Sequence, residues 1–181
     1  MVAENFQPSA KIVRVYEGGY SDHPLDPGGA THLGITIAVL SKHRGRPVSK
    51  ADVRALTWEE AATIYRANYW RPMRCDELPA GLDLAVYDCA VNQGVGRATR
   101  FLQQAAGARV DGVMGPVTVA AVSMADPATL LDEFMALRMH GYGMLQKLFR
   151  TFGLGWSRRL IGIHSFSRML VIGTSVAKRA A

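Results

Sequence analysis

The chain has 181 residues, 49% hydrophobic and 20% charged, which suits one globular domain or a domain with a small appendage. Its net charge of +6 favours an anionic partner, but no interleaved Arg/aromatic stripe and no helix-turn-helix pattern occurs, which argues against nucleic acid. Two cysteines, Cys75 and Cys89, without CxxC or Cys/His spacing argue against a zinc site. They read as buried free thiols, with a single disulfide open to them only in an oxidising compartment.

In chain order, the N-terminus has an early acid, Glu4, and no apolar stretch of signal-peptide length, so no Sec signal is expected. Residues Ser9 to Glu17 are expected as a helix, started by Pro8-Ser9, striped by Ile12, Val15 and Tyr16, and stopped by Gly18-Gly19. From Tyr20 to Ile37 turn chemistry takes over, in His23-Pro24, Asp26-Pro27 and Gly28-Gly29, and His32 to Ile37 alternates like a short strand. The longest uncharged stretch, Pro27 to Ser41, is broken by glycines and too short to span a bilayer.

Helices dominate thereafter. Thr57-Trp58-Glu59-Glu60 predicts a capping box opening a helix that runs to about Trp70, before Pro72. Pro79 to Asn92 is apolar on most sides and predicts a central buried helix. Gly94 and Gly96 break it, a helix follows over Ala98 to Ala106, and Asp111-Gly112 with Gly115-Pro116 marks a turn before a helix over Val117 to Met124. Asp126-Pro127 caps a long helix to about Phe149, and beyond Trp156 the tail mixes apolar and basic residues. The fold class is mainly α, with one small β-hairpin lobe near the N-terminus.

The sharpest chemical feature is Glu17, followed nine residues later by Asp26 and then by the hydroxyl of Thr31. A carboxylate at the negative end of a helix is disfavoured in its ionised form, which suits a proton donor to a glycosidic oxygen. Asp26, among turn residues, is expected to stay ionised as base or electrostatic partner, and Thr31 to help hold a water. Each feature also has a plain structural explanation: a solvated helix end for Glu17, a turn former for Asp26. Asn92 and Gln93 end the buried helix with amides that suit sugar hydroxyl or N-acetyl groups, or that simply cap it. Tyr20, Tyr65 and Trp70 suit stacking on sugars, though such aromatics also build cores. His32 lies near the site without metal-ligand spacing, as does His23.

Glu17-Gly18-Gly19-Tyr20, Asp26-Pro27-Gly28-Gly29-Ala30-Thr31 and Gly34-Ile35-Thr36 resemble the glycoside hydrolase family 108 N-acetylmuramidases, known as secretion activator or endolysin-like proteins. The resemblance continues through Ile64-Tyr65-Arg66 and Tyr69-Trp70, Asp88 to Gly94, Leu102-Gln103 and Asp111 to Gly115. It implies a lysozyme-like α-fold and peptidoglycan hydrolysis at the β-1,4 bond between N-acetylmuramic acid and N-acetylglucosamine, with Glu17 as general acid. Asp26 fits the Glu-x8-Asp spacing of phage-type lysozymes. Thr31 falls one residue short of their threonine, His32 occupying that place, so Thr31 is preferred and Thr36 is the second choice. Tyr20, His32, Thr36, Tyr65, Trp70, Asn92 and Gln93 are the expected substrate contacts.

The expected division is a catalytic region over residues 8–95, a peptidoglycan-binding helical region over 96–160 with its Asp111 to Thr118 core, and a basic, apolar tail over 161–181. The same Asp111 to Thr118 stretch also reads as an ordinary inter-helix turn. No cofactor and no metal are expected. The expected partner is the glycan strand, the expected state a monomer, with weak contact of the tail to an anionic surface. Action would lie at the cell wall, reached by a non-Sec route or by release. A lytic transglycosylase and a wall-binding or secretion-assembly protein without catalysis are the competing functions.

Overall fold

The computed structural model describes residues 5–22 and 29–179, with side chains up to residue 174. Among these residues it has nine helices and one two-stranded antiparallel sheet, a mainly α, lysozyme-like fold. The chain divides into two compact units, Ala10–Asn68 and Met1–Ser9 with Tyr69–Ala181.

Helix α1 spans Phe6–Arg14, starting and ending three residues earlier than the sequence predicts. It starts early because Phe6 is buried, edge-on to Trp70 and Tyr87 at ring distances of 5.3 and 6.0 Å. Pro8 then sits in the first turn, where a missing N–H costs nothing. At the other end the N–H groups of Val15, Tyr16 and Glu17 donate to the carbonyls three residues back, a tightened turn that leaves Glu17 beyond the helix.

In the Ala10–Asn68 unit, β1 (Thr31–His32) and β2 (Ile35–Thr36) form a hairpin that leads directly into α2 (Ile37–Arg44). Helices α3 (Lys50–Arg54) and α4 (Trp58–Tyr65) follow, and α4 continues as a π-helical turn over Arg66–Trp70. Thr57 caps α4, but Glu60 does not return to it as a capping box would. Its carboxylate accepts from Arg44 Nε and Nη2, both at 2.8 Å, and Arg44 Nη1 reaches Asp52 at 2.9 Å, so one guanidinium joins α2, α3 and α4. The reciprocal box is instead Ser49 with Asp52, at the start of α3. Leu40, Val53, Leu56, Ala61 and Ile64 form the apolar centre beneath.

The other unit is built around α5 (Leu82–Gln93), buried at every position from Leu82 to Ala90. Packed with it are α6 (Val95–Ala105), α8 (Pro127–Gly143) and α9 (Gln146–Arg179), with α7 (Pro116–Met124) on α6. Two acids lie inside this core. Asp83 accepts from the N–H groups of Gly81 and Leu84 and from Asn5, while burial pushes its carboxyl above the ordinary range. Asp88 sits between Arg138 Nη2 at 2.6 Å and Arg159 Nη2 at 2.8 Å. Gly81, at φ +88°, lets the start of α5 approach α9 so closely that a Cβ there would strike the Ser167 carbonyl. Cys75 and Cys89 are buried free thiols, and burial pushes Cys89 up to about 12.

The long helix expected from Asp126-Pro127 to about Phe149 is interrupted at Met144–Leu145. The described part of the tail continues α9 without a break. Among the described residues no helix is long and apolar enough to cross a membrane.

Candidate active site

The β-lobe of the Ala10–Asn68 unit assembles most of the residues singled out around Glu17. Its hairpin turns on Leu33 and Gly34, at φ +50° and +70°, the pair of left-handed residues that a two-residue type I′ turn requires. On its other side β1 bridges to Ser21, with Ser21 and Thr31 exchanging both backbone hydrogen bonds at 2.8 Å. Thr31 is therefore opposite Ser21 on one side and Thr36 on the other. Directly paired residues share a face, so three hydroxyl side chains stand in a row.

Glu17 meets this lobe at Gly34. A Cβ built on Gly34 would lie 2.7 Å from Glu17 Oε2 and would collide with the Tyr65 hydroxyl. The catalytic candidate and an aromatic from α4 thus converge on one glycine Cα, and the space they occupy exists because no side chain is there. Tyr65 is buried, and its hydroxyl donates to the Leu33 carbonyl at 2.9 Å, tying α4 to the turn. Its ring lies 6.3 Å from Trp58, and the Arg14 guanidinium covers Trp58 at 4.8 Å.

Thr31 donates its hydroxyl to the Gly29 carbonyl at 3.2 Å, leaving oxygen lone pairs to accept from a further donor. Thr36, the second choice for that role, accepts from the Val39 N–H at 3.3 Å and caps α2. His32 Nδ1 faces the Val53 carbonyl at 3.2 Å, which makes Nδ1 a proton-bearing nitrogen and leaves Nε2 turned away from that contact. Tyr20 is edge-on to His32 at 6.3 Å and stacked by Arg54 at 4.4 Å. Asp26 and His23 lie outside the described residues. Among the described residues no cluster of His, Cys, Asp and Glu could hold a metal ion.

Trp70, Asn92 and Gln93 belong to the other unit. Trp70 is fully buried against Phe6 and Tyr87, with its indole N–H donating to Asp76 at 2.8 Å, so its ring is a core element and no sugar can stack on it. Asn92 accepts from the Tyr142 hydroxyl at 2.5 Å. Gln93 accepts from Arg138 Nε at 3.0 Å and from the Cys89 thiol at 3.4 Å. Both carbonyl oxygens of this pair therefore serve the helix packing around α5.

The Asp111 to Thr118 segment is knotted from within the same unit. Buried Gln103 donates to Asp111 at 2.7 Å and to the Val113 carbonyl and Thr118 hydroxyl at 3.1 Å, and accepts from the Gly112 N–H at 2.9 Å. That knot accounts for the polar residues of this stretch and leaves Val113 and Val117 exposed.

Gly34 and Ser21 complete the lobe, and neither carries a chemical signal by residue type. Gly34 shows in the sequence within the Gly34-Ile35-Thr36 motif and as a turn signal weakened by Leu33, a poor left-handed residue, and neither tells that Glu17 and Tyr65 meet there.

The profile of the family described as Glycosyl hydrolase 108 matches residues 10–94. Among curated proteins none matches the chain. The chain is similar to the solved structure of Brucella abortus SagA, at 42% identity and a TM-score of 0.81, over 93% of this chain and 97% of that one.

Proposed function

The chain belongs to the glycosyl hydrolase 108 family, and from that premise we propose that it is an N-acetylmuramidase. It hydrolyses the β-1,4 bond between N-acetylmuramic acid and N-acetylglucosamine in peptidoglycan. Glu17 protonates the leaving glycosidic oxygen, while Asp26 takes the proton of the attacking water and Thr31 helps to hold that water. The observation that supports this most is the convergence of the Glu17 carboxyl and the Tyr65 hydroxyl on Gly34, which gives a flexible acid a fixed seat beside the hairpin. A proton donor must be positioned before its chemistry matters.

Tyr20 and His32 are the proposed sugar contacts beside Thr31, with Thr36 and Tyr65 acting through the shape of the lobe. In the other unit Asn92 is exposed while its carbonyl oxygen is held by Tyr142, and its amide N–H groups are proposed to donate to the glycan. The proposed place of action is the cell wall. Residues 8–95 would carry catalysis and residues 96–160 would hold the wall.

Digestion of purified peptidoglycan with product analysis by mass spectrometry tests the reaction class. Hydrolysis leaves reducing muramic ends. Anhydro ends would instead identify a lytic transglycosylase, and a protein that sediments with walls but releases nothing would be a binder without catalysis.

A further inference from the structure

From Phe134 to the end, 48 residues hold eight Lys and Arg and no Asp or Glu, whereas the 13 basic residues before Phe134 face all 15 acids of the chain. The excess positive charge is thus confined to the end of α8 and to α9. Helix α9 buries one face through Gly153, Ile163, Ser167 and Val171. Its opposite side is not the polar stripe of an ordinary surface helix. Lys147, Arg150, Leu154, Arg158, Ile161, Met169 and Ile172 recur there at helical spacing, all exposed, the four apolar members at 66, 65, 69 and 57%. Among the described residues Lys147, Arg150 and Arg158 form no ion pair, whereas nearby Arg168 is paired with Asp132 at 3.3 Å.

We propose that this outer stripe of α9 docks the protein on an anionic phospholipid surface, lying in the plane of the headgroups. Unpaired cations beside large exposed aliphatic side chains are what such a surface rewards: the charges attract lipid phosphates and the apolar residues enter the acyl boundary. A second copy of α9 would bring no carboxylate to these cations. A nucleic acid would leave Ile161, Met169 and Ile172 exposed. The helix is too polar to span a bilayer, so it rests on the surface. Docking would hold the protein beside a membrane, and it does not depend on the proposed muramidase activity.

The test is co-sedimentation of the full chain with vesicles of phosphatidylcholine alone and of equal parts phosphatidylcholine and phosphatidylglycerol. The protein is expected to pellet with the mixed vesicles, to stay in solution with the neutral ones, and to be released by high salt. Arg150→Ala and Arg158→Ala should each weaken binding about fivefold, and Ile161→Ser with Met169→Ser should weaken it further at unchanged helicity. Failure to pellet with the mixed vesicles, or equal binding to both kinds, would overturn the proposal. So would a wild-type dimer in solution that Ile161→Ser with Met169→Ser dissociates. The wild-type comparison of two vesicles stands even if a variant folds poorly.

Discussion

Gly34 has to satisfy two demands at once, a left-handed backbone in the hairpin turn and an empty volume filled by Glu17 and Tyr65. Gly34→Ala should therefore cost at least about 1 kcal/mol from its backbone alone. It should also lower lytic activity by more than that stability loss explains, because the new methyl displaces the Glu17 carboxyl. Thermal unfolding beside a turbidity assay on cell walls checks both. Tyr65→Phe removes the hydroxyl and with it the hydrogen bond to Leu33, so at least about 1 kcal/mol of stability should go. An unchanged unfolding midpoint would show that this bond holds nothing. Glu17 was legible in the sequence as a lone carboxylate before two glycines. Tyr65 and Gly34 were also singled out, but not that they meet at Glu17, because Tyr65 is 48 positions away and Gly34 has no side chain to announce a close approach. Helix α1 stops at Arg14 and a tightened turn carries the chain on to Glu17, so its carboxyl lies past the last α-helical residue and is seated at the hairpin as well.

At the scale of elements, α5 shows what periodicity reveals and what it hides. A run apolar on most sides predicts burial, and α5 is buried. The same pattern says nothing of Asp88, whose partners Arg138 and Arg159 come from α8 and α9, 50 and 71 positions away. Replacing Asp88 by Asn would leave two buried guanidinium groups without their carboxylate. The expected loss is about 3–5 kcal/mol, read from denaturant unfolding, and a loss below about 1 kcal/mol would contradict the contact. Glu60 offers a second lesson: a local capping signal was overruled by Arg44, 16 positions earlier, because a two-pronged ion pair outweighs one backbone N–H. The α2–α4 region should also be sensitive to acid. The Ser49 N–H and hydroxyl, helped by Arg46 and Arg44, hold the Asp52 carboxyl at about 2. A group depressed in the folded state stabilises it above the unfolded value of about 3.9 and loses that effect as pH falls toward 2. Protection of the α3 and α4 amides, relative to the intrinsic exchange rate at each pH, should therefore fall across that window. Asp52→Asn should flatten the dependence; an unchanged slope would assign it elsewhere.

For the molecule as a whole, fold class and family were carried by ordered motifs spread over the chain, several of which mark turns. The β-lobe, the buried helix and the proline-started α7 all lie close to where the residues place them. The long final helix was less legible, because its break from α8 at Met144–Leu145 follows Gly143 without a proline, and the helical pattern resumes at once from Gln146. Function at this scale depends on whether one carboxyl group donates a proton to the glycan. The most direct measurement is the rate of reducing-end release from purified peptidoglycan by the wild type and by Glu17→Gln, at matched folding and wall binding. The amide is nearly isosteric but cannot give up a proton, so the rate should fall by about 10²–10⁴ while sedimentation with walls is unchanged. Release by Glu17→Gln at the wild-type rate would remove Glu17 from the chemistry and contradict the proposed mechanism.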